Sequence, residues 1–200
     1  MTDFAYEDRG VFNPSEFADH HYFCKGTHSG NTELPVSQLL YALAIANRSL
    51  TIVETGINNC AGATLWLILA ASINGGTYTG FDILQPPCER AATFIEQLWG
   101  KEAAVTIVHG DALVEVPKLF RDRPIDLLFI DDNHERGHVE REVEAFRPLM
   151  RAGGLMLFHD VLGVHEPDIW DVIAPLGAVK LVNHLHVPGC NFGGLGMLPV

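Results

Sequence analysis

The chain has 200 residues, 48% of them hydrophobic, which suits one folded domain with a substantial core and is short for two. Twenty-five acidic residues against thirteen lysines and arginines leave a formal charge of −12, which repels a polyphosphate backbone and argues against nucleic acid as a partner. The longest apolar run (LWLILAASI, 65–73) is too short to cross a bilayer and residues 1–10 show no leader, so a soluble protein is expected; four scattered cysteines without a C-x-x-C pair fit a reducing cytoplasm.

Residues 1–32 hold His20, His21, Cys24 and His28 without periodicity and read as an irregular arm able to cover a site. Such arms often pack on a neighbouring subunit, which leaves a homo-oligomer open. Residues 33–200 are expected to form a single domain. Glu33 to Asn47 predicts an amphipathic helix with Pro35 in its first turn. From Leu50 onward short β-branched or apolar runs alternate with longer amphipathic ones, the pattern of a parallel sheet between two helical layers. The predicted strands are Leu50–Glu54, Thr77–Asp82, Ala104–Val108, Ile125–Asp131 and Leu155–Asp160. Helices are expected over Gly62–Ser72, about Cys88–Trp99, near Leu113–Phe120 and over His134–Met150. The last carries Val139, Val143, Phe146 and Met150 at helical spacing and stops at Gly153-Gly154. Ala178–Val187 and Phe192–Leu198, joined through Pro188-Gly189, predict an antiparallel closing hairpin with His184 and His186 on one polar face.

Three places carry chemistry. Glu54 to Thr64 reads ETGINNCAGAT, a strand end, a glycine-containing loop and a helix start, which aims unpaired N–H groups at an anion. Asp82 closes the next strand at the distance where a ribose-binding acid falls in nucleotide-binding α/β units, although Gly56 and Gly62 could equally serve turns alone and Asp82 a helix cap. Asp131 and Asp160 end strands expected to be neighbours, and paired carboxylates of this kind suit Mg²⁺. HERGH (134–138) also matches H-E-x-x-H, in which His134 and His138 would hold zinc with Glu142 or Glu166 as third ligand and Glu135 activating water. Gly137 is costly inside such a helix, and the match starts directly after a buried strand, so the zinc hydrolase stands as the alternative.

Taken in order and spacing, ETG, GFD, HGDA, FIDDNH, RAGG and LFHD resemble the class I S-adenosylmethionine-dependent methyltransferases, nearest the small-molecule O-methyltransferase-like branch whose fourth strand commonly ends FIDGDH. The resemblance spans roughly residues 33–200. It implies a Rossmann-like three-layer α/β sandwich, its seven-stranded, mostly parallel sheet closed by the C-terminal hairpin, and methyl transfer to a hydroxyl of a small-molecule acceptor. By the same resemblance Glu54 and Gly56 hold the methionine end of S-adenosylmethionine, Asp82 the ribose hydroxyls and Asp111 the adenine amino group. The family's glycine-x-hydroxyl pattern falls on Gly62-Ala63-Thr64 once two extra residues are allowed, which predicts a bulge around Asn58 and Asn59. Asp131, His159 and Asp160 stand where metal-dependent relatives place their ligands. His159-Asp160 in place of Asp-Asn weakens the case for Mg²⁺ and leaves room for another divalent cation such as manganese or iron, or for no metal. His134, three residues after Asp131, takes the position of the general base. Trp66 and Trp99 are expected to pack on the sheet, and Trp170 to serve the core or the acceptor pocket. A protein that kept the fold without methyl transfer is the third reading.

Overall fold

The structure, a computed structural model, describes residues 32–58, 62–99, 104–184 and 192–200. Of the N-terminal arm only Thr32 belongs to them. His20, His21, Cys24, His28, Asn59, Cys60, the Trp99 side chain, His186, Pro188-Gly189 and Cys190 lie outside the described residues.

Seven strands form one sheet in the order β3-β2-β1-β4-β5-β7-β6. In chain order they are β1 (Thr51–Thr55), β2 (Thr77–Asp82), β3 (Val105–His109), β4 (Ile125–Ile130), β5 (Met150–Gly163), β6 (Val179–Val182) and β7 (Phe192–Pro199). The first five run parallel, and β7 is antiparallel to both β5 and β6. The chain leaves β1 toward β2 and β3, then returns to β4 on the other flank of β1. That reversal opens a crevice at the carboxyl ends of β1 and β4, where α/β sheets bind ligands.

Helices α1 (Leu34–Ala46), α2 (Ala63–Asn74) and α3 (Gln85–Trp99) cover one face, and α4 (Ala112–Phe120), α5 (Arg136–Phe146) and α6 (Glu166–Ile173) the other. β4 shows why both layers are needed. Leu127 and Phe129 point into the first core, Leu128 and Ile130 into the second, and all four are buried, as in a parallel strand covered on both sides. The apolar run at 65–73 lies in α2, which is buried continuously from Ala63 to Ala71 because the sheet covers one side and α1 the other. Trp66 packs there edge-on to Tyr41. Among the described residues no helix is long and apolar enough to cross a membrane.

Three boundaries differ from the sequence reading. The helix expected over His134–Met150 begins at Arg136, capped by Glu135, and ends at Phe146. A single 3-10 turn follows, because Pro148 cannot supply the N–H that another α-turn needs. β5 reaches beyond Leu155–Asp160 at both ends: Met150 pairs with Ile125 of β4, and β7 continues pairing to Gly163 across a register shift between His159 and Leu162. β6 stops at Val182 after pairing with Met197, Gly196 and Leu195, so His184 lies outside the hairpin strands.

Candidate active site

A cleft of about 540 Å³ opens at the carboxyl ends of β1, β2, β4 and β5. Its shape begins at Gly56. With φ at +80°, and with an added Cβ falling 2.1 Å from the Asp131 carbonyl oxygen, only glycine lets the end of β1 lie against the end of β4. The Gly56 N–H donates to Phe81 O at 2.9 Å and the Asp131 N–H to Thr55 O at 3.1 Å, so the sheet ladder holds both strand tips.

On the β2 side Asp82 is fixed by backbone amides. Asn58 N–H donates to Oδ2 at 2.9 Å and Leu84 N–H to Oδ1 at 2.8 Å. Each carboxylate oxygen accepts more than one bond, so acceptor capacity remains toward the cleft. Asp111 caps α4 by accepting from Leu113 N–H at 2.9 Å and lines the same half. Ile83 and Leu84, 68% and 60% exposed, add an apolar shelf. Sequence reading passed over this pair, although two apolar residues directly after a strand-end acid were a usable signal.

Glu54, Gly62 and Thr64 lie beneath the cleft rather than on its wall. Glu54 is 2% exposed and accepts hydrogen bonds from the Tyr78 hydroxyl and, at 3.1 Å, the Thr64 hydroxyl. Burial pushes its carboxyl up to about 8 against those two bonds, and the Asp131 charge adds to the rise. Gly62 caps α2 with φ at +71°, and a Cβ there would come 3.0 Å from the Thr32 backbone.

On the β4–β5 side four segments converge. His159, buried on β5, places Nδ1 at 2.9 Å from Asp131 Oδ1 and Nε2 at 2.6 Å from Glu33 Oε2. Burial alone would push this imidazole down, but the hydrogen-bonded carboxylates of Asp131 and Glu33 and the nearby Asp160 carry it well above its ordinary value. It is an imidazolium donating from both nitrogens. The Thr32 hydroxyl donates to Asp131 Oδ2 at 2.9 Å. His134 sits in the loop between β4 and α5, stacked on His165 with ring centroids 4.7 Å apart. Its Nε2 lies 3.5 Å from Asp160 Oδ2 and 3.8 Å from Asp131 Oδ1, and no described residue hydrogen-bonds to it. Burial pushes the His134 imidazole down, outweighing Asp131. Asp160 adopts φ of +56°, a strained conformation for a non-glycine residue, and burial pushes its carboxyl up to about 7 while the His159 charge opposes.

The structure thus brings Asp131, His134, His159 and Asp160 together as one rim, and Asp82 with Asp111 as the other. Glu33, Thr32 and His165 belong to the first rim and were missed, because their partners lie 126, 99 and 31 positions away and no local pattern links them. Trp170 does not line the cleft; it packs on the second core with the Lys180 ammonium over its ring. The H-E-x-x-H reading fails. His134 precedes the helix cap, so the two histidines do not share a helix face, and they fall in different groups of mutually close ligand atoms. Glu166 instead pairs with Lys180.

Asp131, His159 and Asp160 each offer an atom within 4.8 Å of the others. As metal ligands they fit poorly, because both His159 nitrogens already hold carboxylates and neither is left for an ion.

A family profile described as Methyltransferase domain matches residues 53–161, more than half of the chain. No curated protein matches. Among solved structures, the O-methyltransferase TomG from Streptomyces achromogenes, involved in tomaymycin synthesis and solved with SAM, superposes with a TM-score of 0.71 at 19% identity, covering 92% of this chain and 86% of that one. An O-methyltransferase from Bacillus cereus in complex with SAH gives 0.73 at 17% identity, covering 96% and 93%. The SAH-bound methyltransferase PaMTH1 of Podospora anserina gives 0.70 at 14% identity, covering 94% and 88%. With the profile running from β1 to β5 and these superpositions covering nearly the whole chain, the chain belongs to the methyltransferase-domain family and has the Rossmann-like fold of the class I S-adenosylmethionine-dependent methyltransferases.

Proposed function

We propose that the protein transfers a methyl group from S-adenosylmethionine to a hydroxyl of a small molecule, without a metal ion at Asp131, His159 and Asp160. One observation carries the reading: a single cleft joins an amide-braced carboxylate cradle at β2 to a buried imidazole with a free nitrogen at β4. TomG and the Bacillus cereus enzyme, solved with SAM and SAH, support the choice of cofactor.

In this reading Asp82 accepts from the ribose hydroxyls and Asp111 from the adenine amino group, with Ile83 and Leu84 against the ring. Gly56 lets the methionine end approach the backbone. Glu54, Gly62 and Thr64 act from below: Thr64 ties the start of α2 to Glu54 and so fixes the loop over which the cofactor lies. When bound, S-adenosylmethionine supplies a methyl group already activated for attack by an oxygen nucleophile, so the protein's task is alignment and removal of one proton.

His134 is placed for that proton. Its depressed basicity keeps it neutral near pH 7, and Nε2 accepts the hydroxyl proton as the acceptor oxygen attacks. The imidazolium so formed lies between Asp160 and Asp131, which stabilise it. His159, already cationic and gripped by Glu33 and Asp131, holds Asp131 in position and offsets part of the carboxylate charge that a metal would otherwise balance.

Calorimetric titration with S-adenosylmethionine and S-adenosylhomocysteine tests the proposal, followed by methyl transfer to a panel of phenols, catechols and sugar hydroxyls. Binding lost in Asp82→Ala and turnover lost in His134→Ala are expected. Failure of the folded wild-type chain to bind either cofactor form overturns it.

A further inference from the structure

The second histidine of HERGH takes no part in the reading above, yet it faces a carboxyl group buried in the core. Glu142, on α5, is 0% exposed, and neither of its carboxylate oxygens has a hydrogen-bond partner among the described residues. One turn earlier on the same helix, His138 directs Nε2 toward it, 3.8 Å from Oε1. The same nitrogen lies 3.6 Å from Oδ2 of Asp132 and has no hydrogen bond of its own. His138 and Asp132 line the cleft, while His138 Nε2 and both Glu142 oxygens lie buried just behind its wall. Asp132 and Asp111 add negative charge nearby, the Asp132 side chain also through direct contact, and exposed Arg141 opposes them. A buried carboxylate with no donor must hold either a proton or a cation.

We propose that Asp132, His138 and Glu142 bind one borderline divalent metal ion of the Zn²⁺ or Mn²⁺ kind, with its open coordination positions facing the cleft. The three ligand atoms lie within 4.8 Å of one another. Around an ion at about 2.1 Å, neighbouring ligand atoms sit roughly 3.0–3.4 Å apart, so His138 Nε2, at 3.6 and 3.8 Å from the two carboxylates, closes by less than about 1 Å and the widest pair by less than about 2 Å. One imidazole with two carboxylates suits Zn²⁺, Mn²⁺ or Fe²⁺ better than the all-oxygen shells of Ca²⁺ and Mg²⁺. The site is separate from the rim of Asp131, His159 and Asp160, and its existence does not depend on methyl transfer.

Burial, then Asp132, push the Glu142 carboxyl well above its ordinary value. Arg141 donates to His138 Nδ1 at 3.3 Å and to Gly137 O at 3.2 Å, so Nε2 is the ring nitrogen that faces the two carboxylates.

The test is titration of Zn²⁺ and Mn²⁺ into the full chain, by calorimetry and by Mn²⁺ paramagnetic resonance. One ion per chain is expected. His138→Gln and Glu142→Gln should each weaken it by about tenfold or more, while Asp160→Asn leaves it within about twofold. No uptake by the folded wild-type chain overturns the proposal and makes Asp132 and Glu142 a proton-sharing acid pair. So does uptake lost in Asp160→Asn but kept in His138→Gln. Should Glu142→Gln fail to fold, His138→Gln, at the cleft wall, decides alone.

Discussion

The two halves of the cleft are built on opposite rules. In the β2 half, acids are braced by backbone amides of neighbouring turns: Asp82 by Asn58 and Leu84, Asp111 by Leu113. In the β4–β5 half the side chains hold one another, across 126 residues for Glu33 and His159 and 28 for His159 and Asp131, under burial deep enough to shift three of them. An amide-braced carboxylate keeps its shape whatever enters the cleft, which suits a cofactor that must return every cycle. A network of mutually shifted acids and bases responds to each proton gained or lost, which suits the chemical step.

Replacing a residue in each half separates these roles. The largest effect is expected for His134→Ala, which lowers kcat by about 10²–10⁴-fold and leaves the Kd for S-adenosylhomocysteine within about twofold. A kcat loss of only a few-fold removes His134 as the base. Asp82→Ala should act in the other direction, weakening S-adenosylhomocysteine by roughly 10–100-fold, the loss of about two charge-assisted hydrogen bonds. Cofactor affinity unchanged in Asp82→Ala would place the ribose elsewhere.

The same contrast governs how much the sequence disclosed. Asp82 and Asp131 were legible because each sits at the end of an apolar run, and the period of a strand says where its last residue points; Asp111 was legible only through the resemblance carried by HGDA. The layered fold was legible for the same reason: β4 and α2 advertise burial on all sides. Glu33 gave no signal, since its partner is set by the tertiary path of α1 and not by any local repeat. HERGH misled because spacing suggests a helix face only when both residues are helical, and the helix begins at Arg136.

Glu33→Gln probes the long-range half. His159 loses one of its two carboxylates, so the imidazole titrates lower than in the wild type, and the variant is expected to lose about 1–3 kcal/mol of stability. The loss has a pH signature. A group whose folded pKa is raised contributes stability that is present at low pH and fades as pH rises through that pKa. The gap between wild type and Glu33→Gln should therefore narrow in alkaline solution, read by urea unfolding from pH 6 to pH 10. A gap constant over that range means His159 is not held as an imidazolium.

Glu54 gives the smallest effect and the sharpest sign. Its carboxyl is raised from 4.5 to about 8 in the folded chain, with burial as the main cause. Between those values the folded chain keeps a proton that the unfolded chain gives up, so stability falls as pH rises through the window and levels off above it. Glu54→Gln removes that term while a carboxamide oxygen remains to accept from Tyr78 or Thr64. Relative to wild type, Glu54→Gln should gain stability between pH 5 and pH 8, on the order of 1 kcal/mol or more. Asp160 and Glu142 are raised in the same direction, so the slope is reduced and not abolished, and a chelator must be present to keep cations off Glu142. If wild type and Glu54→Gln lose stability in parallel over this window, the carboxyl is ionised in the fold. The Thr64 and Tyr78 hydroxyls then hold a charge beneath the cofactor loop, and Glu54 would itself attract the positive end of whatever lies above it.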